Sequence, residues 1–147
     1  MKNLQEWVGN QISGNEIIHQ QSLNGFAALM DEPGPASDIV PSGGHWMYFL
    51  PTDRQSHIDK DGHGMKGEFL PPVELPRRMW AGGRLAFHAP LRAGDLAEKT
   101  STIKSVTSKT GRTGELIFVT VEHQIRNEAG LCLTEEHDIV YREAAGG

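Results

Sequence analysis

GEFLPPVELPRRMWAGGRLAFHAPLRAGD, residues 67–95, is the stretch on which the reading of this chain turns. It is too irregular for core alone and too apolar for a disordered linker. Phe69 to Pro76 is extended, because proline fixes its own φ and pushes the residue before it out of the helical region. Twin arginines, Trp80 and the pair Gly82-Gly83 come next, and Gly83–Pro90 reads as a strand that closes in Pro-Leu-Arg-Ala-Gly-Asp. Toward the carboxy terminus, Leu96–Ser108 reads as a long polar strand with Ile103 and Val106 as its apolar points. Lys109–Gly114 is a turn. In Glu115–Arg126 the residues Ile117, Val119, Val121 and Ile125 alternate with Phe118, Thr120 and Glu122, the period of a half-buried strand. Asn127–Gly130 makes a hairpin turn and Leu131–Arg142 is the last strand, followed by an unstructured tail at Ala144–Gly147.

Toward the amino terminus, Thr52–Lys66 is a polar loop punctuated by glycine. Gly44–Leu50 is an apolar piece between two prolines that fits a short helix or a buried strand. Ser22–Met30 has helical spacing, with Leu23, Phe26, Ala27 and Met30 on one face, Ser22 as N-cap and Asp31-Glu32-Pro33 as the stop. Helix first and a four-strand antiparallel meander after it make an α+β pattern. Such a sheet leaves an edge open to a second copy or a second domain.

Bulk properties narrow the classes. A chain of 147 residues has room for one domain with a real core, and residues 1–147 are expected to form a single unit. A hydrophobic content of 37% and a mean hydropathy of −0.42 suit a soluble protein. No apolar run nears the ~20 residues that cross a bilayer, and Met1–Trp7 lacks the apolar segment of a secretory leader. The cytoplasm is therefore the expected compartment. The single Cys132 is expected to be a buried strand residue. The net charge of −5 argues against nucleic acid as a partner. That charge is uneven. Pro71–Arg112 holds eight bases against three acids, whereas the remainder holds six against sixteen. A basic patch on an acidic domain suits an anionic small ligand or is simply a solvated strand face.

Several motifs together carry a resemblance. They are His45–Pro51 (HWMYFLP), Asp61-Gly62-His63, Phe69–Pro72 (FLPP), Leu75–Gly83 (LPRRMWAGG), Pro90–Asp95 (PLRAGD), Lys109-x-Gly111-Arg112-x-Gly114-x-Leu116-x-Phe118-Val119, and Asp138–Glu143 (DIVYRE). From Trp7 to Glu143 the chain resembles the amino-terminal half of the two-domain acyl-CoA hydratases of the MaoC-like hot-dog family. It resembles in particular those that act on mesaconyl-C4-CoA (3-methylfumaryl-CoA). The resemblance implies a hot-dog fold, an antiparallel sheet wrapped around a helix, with two such units pairing as a double hot-dog around an acyl-CoA thioester. It implies reversible hydration of a short enoyl-CoA with no cofactor and no metal. It also implies a partner, either a second copy or a separate hot-dog subunit. In the family an Asp, an Asn-Pro and a His five residues after the Asp activate the water. Here Asp31 is present but Ala36 stands where the histidine belongs. The resemblance thus assigns this chain the half that shapes the tunnel, with the Asp/His pair supplied by the other half.

For catalysis the chain offers only Asp31 and His45, and His45 reads equally as a core-edge histidine. For substrate or CoA binding it offers Arg77, Arg78, Trp80, Trp46, Gly82 and Gly83. A guanidinium pairs with carboxylate or phosphate and stacks on indole. Arg77 and Arg78 read equally as halves of a structural ion pair with Glu74 or Asp95. Gly82-Gly83 either lets backbone approach a ligand or makes a tight turn. Asp53, His57, Asp59, Asp61 and His63 share one loop, and their spacing matches no calcium loop and no zinc helix, so they read as solvated. A non-catalytic acyl-CoA-binding protein and a thioesterase are the other functions this fold can host.

Overall fold

Strand alternation organises the molecule, seen here in a computed structural model that describes residues 3–145. The elements in order are β1 (Gln11–Ile17), α1 (Gln20–Leu29), β2 (Arg77–Phe87), β3 (Leu96–Gly111), β4 (Gly114–Asn127) and β5 (Gly130–Arg142). Short 3-10 turns lie at Leu4–Trp7, Gly44–Met47 and Gln55–His57. The five strands form one antiparallel sheet in the order β1-β3-β4-β5-β2. β3, β4 and β5 form a meander joined by two tight turns, at Arg112-Thr113 and Glu128-Ala129. Gly114 and Gly130 leave those turns with φ of 114° and 129°, which a side chain would oppose.

The four-strand meander needs correction on two counts. β1 was not legible, and β2 pairs with β5 rather than β3. Residues 88–95 do not turn back tightly. Val40 N–H donates to the Leu91 carbonyl, Ala93 N–H to that of Asp38 and Gly94 N–H to that of Ile18. Amino-terminal chain is thereby laid along this connection, and β1 takes the place beside β3. β2 also begins six residues before the expected Gly83. Gly82-Gly83 is no turn but part of the strand, just past a bulge between Trp80 and Gly82.

α1 starts at Gln20 with His19 as its cap, not Ser22, and the cap side chain makes no hydrogen bond. Instead the Tyr48 hydroxyl donates to the His19 carbonyl at 2.9 Å and pins the helix start. Leu23 and Ala27 are buried, whereas Met30 is exposed. α1 packs on the turn Gly44–Met47, and that turn bonds to the sheet through His45 and Trp46. The core has two parts. One gathers Ile18, Tyr48, Leu91, Ile125, Cys132 and Leu133. The other gathers Val73, Ile103, Val106, Val119, Val121 and Tyr141 under the proline-rich connector. Cys132 is buried as expected, and burial pushes its thiol up. Among the described residues no helix is long and apolar enough to cross a membrane. Of the tail, Gly146 and Gly147 lie outside the described residues.

Candidate functional site

Side chains alternate across a sheet, and directly paired residues share a face. Ser101 pairs with His123, His123 with Glu135, and Val121 with His137. Lys99, Ser101, His123, Glu135 and His137 therefore stand together on the face that elsewhere carries the core. From above, the turn Gly44–Met47 adds His45 and Trp46. Gly43 enters that turn with φ of 84°, and a Cβ on Gly44 would sit 2.8 Å from Cδ of Pro41, so the chain can lie this close only with glycine there.

Glu135 is the hub, 5% exposed. Its carboxylate accepts from Nε2 of His45 at 2.9 Å and from Nε1 of Trp46 at 3.0 Å to each oxygen. Nε2 of His137 lies 3.0 Å from Oε2. Burial would raise this carboxyl, but the three N–H donors more than offset it and hold Glu135 below the usual carboxylate range. The rings of His137 and His123 meet edge to face at 4.8 Å, and Nδ1 of His123 lies 2.6 Å from the Ser101 hydroxyl. Burial, with Lys99 and His137 alongside, pushes His123 down to about 3, so its ring is neutral at pH 7. Burial also lowers Lys99, and Glu135 opposes that shift. Such a row of interlocked polar groups in a sheet core is costly unless its members are satisfied, which makes it the candidate site of this fold.

Two clefts open on the row. His45 is among the residues lining a cleft of about 350 Å³, whose lining is otherwise mostly apolar, with Val40, Phe87, Leu91 and Leu133. Lys99 and Ser101 face a cleft of about 720 Å³ beside β1 and Phe49–Asp53, where Glu16 and Asp53 also stand. The Glu16 carboxylate there accepts from the Phe49 N–H.

The residues singled out in the sequence do not all converge. His45 and Trp46 join the Glu135 network. Asp31 is exposed at the end of α1 with φ of 55° and takes no part in it. Arg78 forms an ion pair, but with Asp61 at 2.8 Å rather than with Glu74 or Asp95. Arg77 is exposed. The Trp80 indole, 69% exposed, lies over Gly83, with no guanidinium stacked on it among the described cation–π contacts. Four of the eight bases in 71–112 are held in ion pairs, namely Arg78, Arg84, Arg92 and Lys104. In the polar loop His63 pairs with Asp61 and His57 with Glu68, and among the described residues no group of His, Cys, Asp or Glu could hold a metal. Sequence reasoning missed Glu135, Ser101, His123 and His137. The available signal was period-two spacing, Ser101 in phase with Ile103 on β3, His123 with Ile125 on β4, and Glu135 and His137 with Leu133 and Tyr141 on β5.

Residues 43–146 match the family of hydroxyacyl-thioester dehydratases type 2. This chain belongs to that family. Over 140 residues it is 44% identical to mesaconyl-C(4)-CoA hydratase of Chloroflexus aurantiacus, an alignment covering 93% of this chain and 50% of that protein. The chain thus spans about half the length of that relative. The fold of this dehydratase-family chain is the hot-dog. It superimposes on a MaoC-like dehydratase from Rhodospirillum rubrum with a TM-score of 0.63 at 16% identity, over 95% of this chain and 94% of the other. A chain of the ChsH1–ChsH2 complex of Mycobacterium tuberculosis matches with a TM-score of 0.61 at 12% identity, over 98% and 89%.

Proposed function

We propose that the chain is one hot-dog unit, spanning residues 1–147, of a cytoplasmic acyl-CoA hydratase/dehydratase for a short enoyl-CoA. It shapes the thioester tunnel, and a second hot-dog unit brings the Asp/His pair that activates water. The observation that carries this is the Glu135 row, a buried polar array opening on an apolar cleft in a chain whose family position for the catalytic histidine holds Ala36. Ala36 has no group that accepts a proton, so the water-activating step needs a residue from elsewhere.

The surface supports a partner. β2 is an outer strand, and Met79, Trp80, Leu85 and Phe87 along it are all exposed. A long outer strand with apolar side chains is a template for another sheet. The mesaconyl-C(4)-CoA hydratase relative is twice as long, which fits a second unit beside this one. The same relative points to a dicarboxylic acyl group. We assign Arg77, which is exposed, to the ligand's carboxylate or phosphate, with Arg78, Trp80, Trp46, Gly82 and Gly83 as the other candidate binding residues.

The test is an assay of the purified chain with mesaconyl-C4-CoA and with crotonyl-CoA, following loss of the conjugated thioester absorbance. It is run alone and with a hot-dog unit that carries the Asp/His motif. Turnover only in the mixture is expected. CoA-ester binding without turnover in either arm would make the chain a binding protein, and release of free thiol would make it a thioesterase.

A further inference from the structure

Where β1 meets β3, the core-facing side of the sheet is left open. Ile12 pairs with Ser101, Gly14 with Lys99 and Glu16 with Ala97, so these six residues share that face. Gly14 brings no side chain, and a Cβ built on it would meet nothing within 4 Å. There lies the cleft of about 720 Å³ that Ile12, Glu16, Lys99 and Ser101 line together with Phe49–Asp53. Such a volume takes an acyl group with its thioester and part of the arm behind it.

Lys99 is the lysine of this cleft, and it is half-buried. Ala97 precedes it on the same face and Ile125 pairs with it from β4, and both of these are buried. Burial lowers its pKa, and Glu135 opposes that shift. Glu135 is already engaged by His45, Trp46 and His137. The other titratable groups around Lys99 are Glu16 on β1, Asp53 in the following chain and His123 on β4. The Glu16 carboxylate takes the Phe49 N–H, and the His123 ring is neutral at pH 7. Elsewhere Lys104 pairs with Glu122 at 3.4 Å, and Nζ of Lys66 donates to the Val73 and Leu75 carbonyls. Among the described residues Lys99 forms no such contact. An amine that burial makes harder to protonate is a nucleophile, and a thioester carbonyl is an electrophile it can attack.

We propose that Lys99 is a self-acylation site, where a thioester bound in the cleft beside Gly14 passes its acyl group to Nζ. The nitrogen lone pair forms a C–N bond at the thioester carbonyl carbon, and the C–S bond breaks. The sulfur leaves with that electron pair and takes up the proton that the nitrogen gives up. The products are an uncharged amide at Lys99 and free coenzyme thiol, and no other reactant is needed. One thiol is released per chain, which separates this step from the repeated turnover of a thioesterase. The inference rests on the reading of the chain as a thioester-binding unit but not on its hydrating the acyl group.

The experiment incubates the purified full chain with butyryl-CoA at pH 8 and follows each lysine by peptide mass spectrometry. A parallel arm uses acetic anhydride, an acyl donor that needs no binding site. With butyryl-CoA, Lys99 is expected to acylate at least about fivefold faster than the exposed Lys60. Its rate should saturate with butyryl-CoA concentration, whereas that of Lys60 should rise in proportion. Lys99→Arg keeps the charge and removes the nucleophile, so thiol release should fall to the background set by the surface lysines. If that variant does not fold, the wild-type peptides decide alone. Lys99 acylating no faster than Lys60 with either donor overturns the proposal and leaves the thioester reading standing. Fast reaction with the anhydride but not with butyryl-CoA overturns it too, and counts against a thioester in this cleft. A Lys99 rate that never saturates also overturns it, because the acyl group would then arrive from solution rather than from a bound thioester.

Discussion

At the scale of the residue, Glu135 and His123 show how burial and hydrogen bonding pull in different directions. Glu135 keeps its charge because three N–H groups surround it, and removing the carboxylate would leave those donors unpaired. Glu135→Leu is expected to cost about 3–5 kcal/mol, the range for breaking one side of a buried charged network. Denaturant unfolding followed by tryptophan fluorescence measures it, and the emission should also shift as the Trp46 indole loses its acceptor. His123 has the opposite problem, since it must be neutral to stay where it is. Its folded-state pKa of about 3 lies well below the ~6.5 of an unfolded chain. Below pH 6.5 the unfolded state takes up a proton that the native state refuses, so stability falls as pH drops from about 6.5 toward 3. Between pH 7 and pH 5 this one group should remove about 2 kcal/mol. His123→Gln should flatten that part of the profile, whereas an unchanged slope in the variant would assign it to other groups. Neither residue stood out in the sequence. Thr134-Glu135-Glu136-His137-Asp138 is a run of polar residues that looks like a solvated strand. Locally, only the two-residue step from Leu133 separates Glu135, which faces the core, from Glu136, which does not. That phase is fixed by cross-strand register with His123 and by the turn that delivers His45 from 90 residues away.

At the scale of the element, legibility tracked the strength of the periodic signal. β4 was plain because Ile117, Val119, Val121 and Ile125 alternate cleanly, and all four are buried. β1 was invisible because Gln11–Ile17 is mostly polar, includes a glycine and exposes both Ile12 and Ile17. Only its pairing with Thr102–Leu96 of β3 makes it a strand. The start of β2 was hidden by the prolines before it. Gly44–Leu50 left helix and strand both open, since its length does not decide between them, and Gly44–Met47 within it is a 3-10 turn. Its geometry nonetheless decides the site. A Cβ at residue 44 would lie 2.8 and 2.9 Å from the Pro41 ring and 3.2 Å from Val40, and a proline ring has little freedom to yield. Gly44→Ala should therefore destabilise by about 1–3 kcal/mol through overpacking. It should also displace His45 from Glu135. Thermal unfolding gives the first effect and the His45 ring resonances the second. A variant with native stability and an unmoved ring would show that the turn can shift freely.

At the scale of the whole molecule, the sheet is finished on the inside and unfinished along β2. The hot-dog architecture itself was legible, because scattered motifs from His45 to Glu143 pointed to it together. Met79, Trp80, Leu85 and Phe87 lie exposed along an outer strand, and Phe87 lines the same cleft as His45. If a second hot-dog unit docks there, it covers this apolar strip and closes the cleft from the same side. Phe87→Lys places a charge on that strip at a site already more than half exposed, so folding stability should change by no more than about 0.5 kcal/mol. Association should suffer much more, because a lysine on an outer strand opposes pairing with another sheet. Sedimentation of the variant with an Asp/His-bearing partner is expected to show a loss of at least tenfold in assembly, and hydratase turnover in the mixture should fall in step. Assembly at wild-type strength would place the partner on another face. The outer strand β1, with Ile12 and Ile17 exposed beside Leu96, is then the surface that remains to receive it.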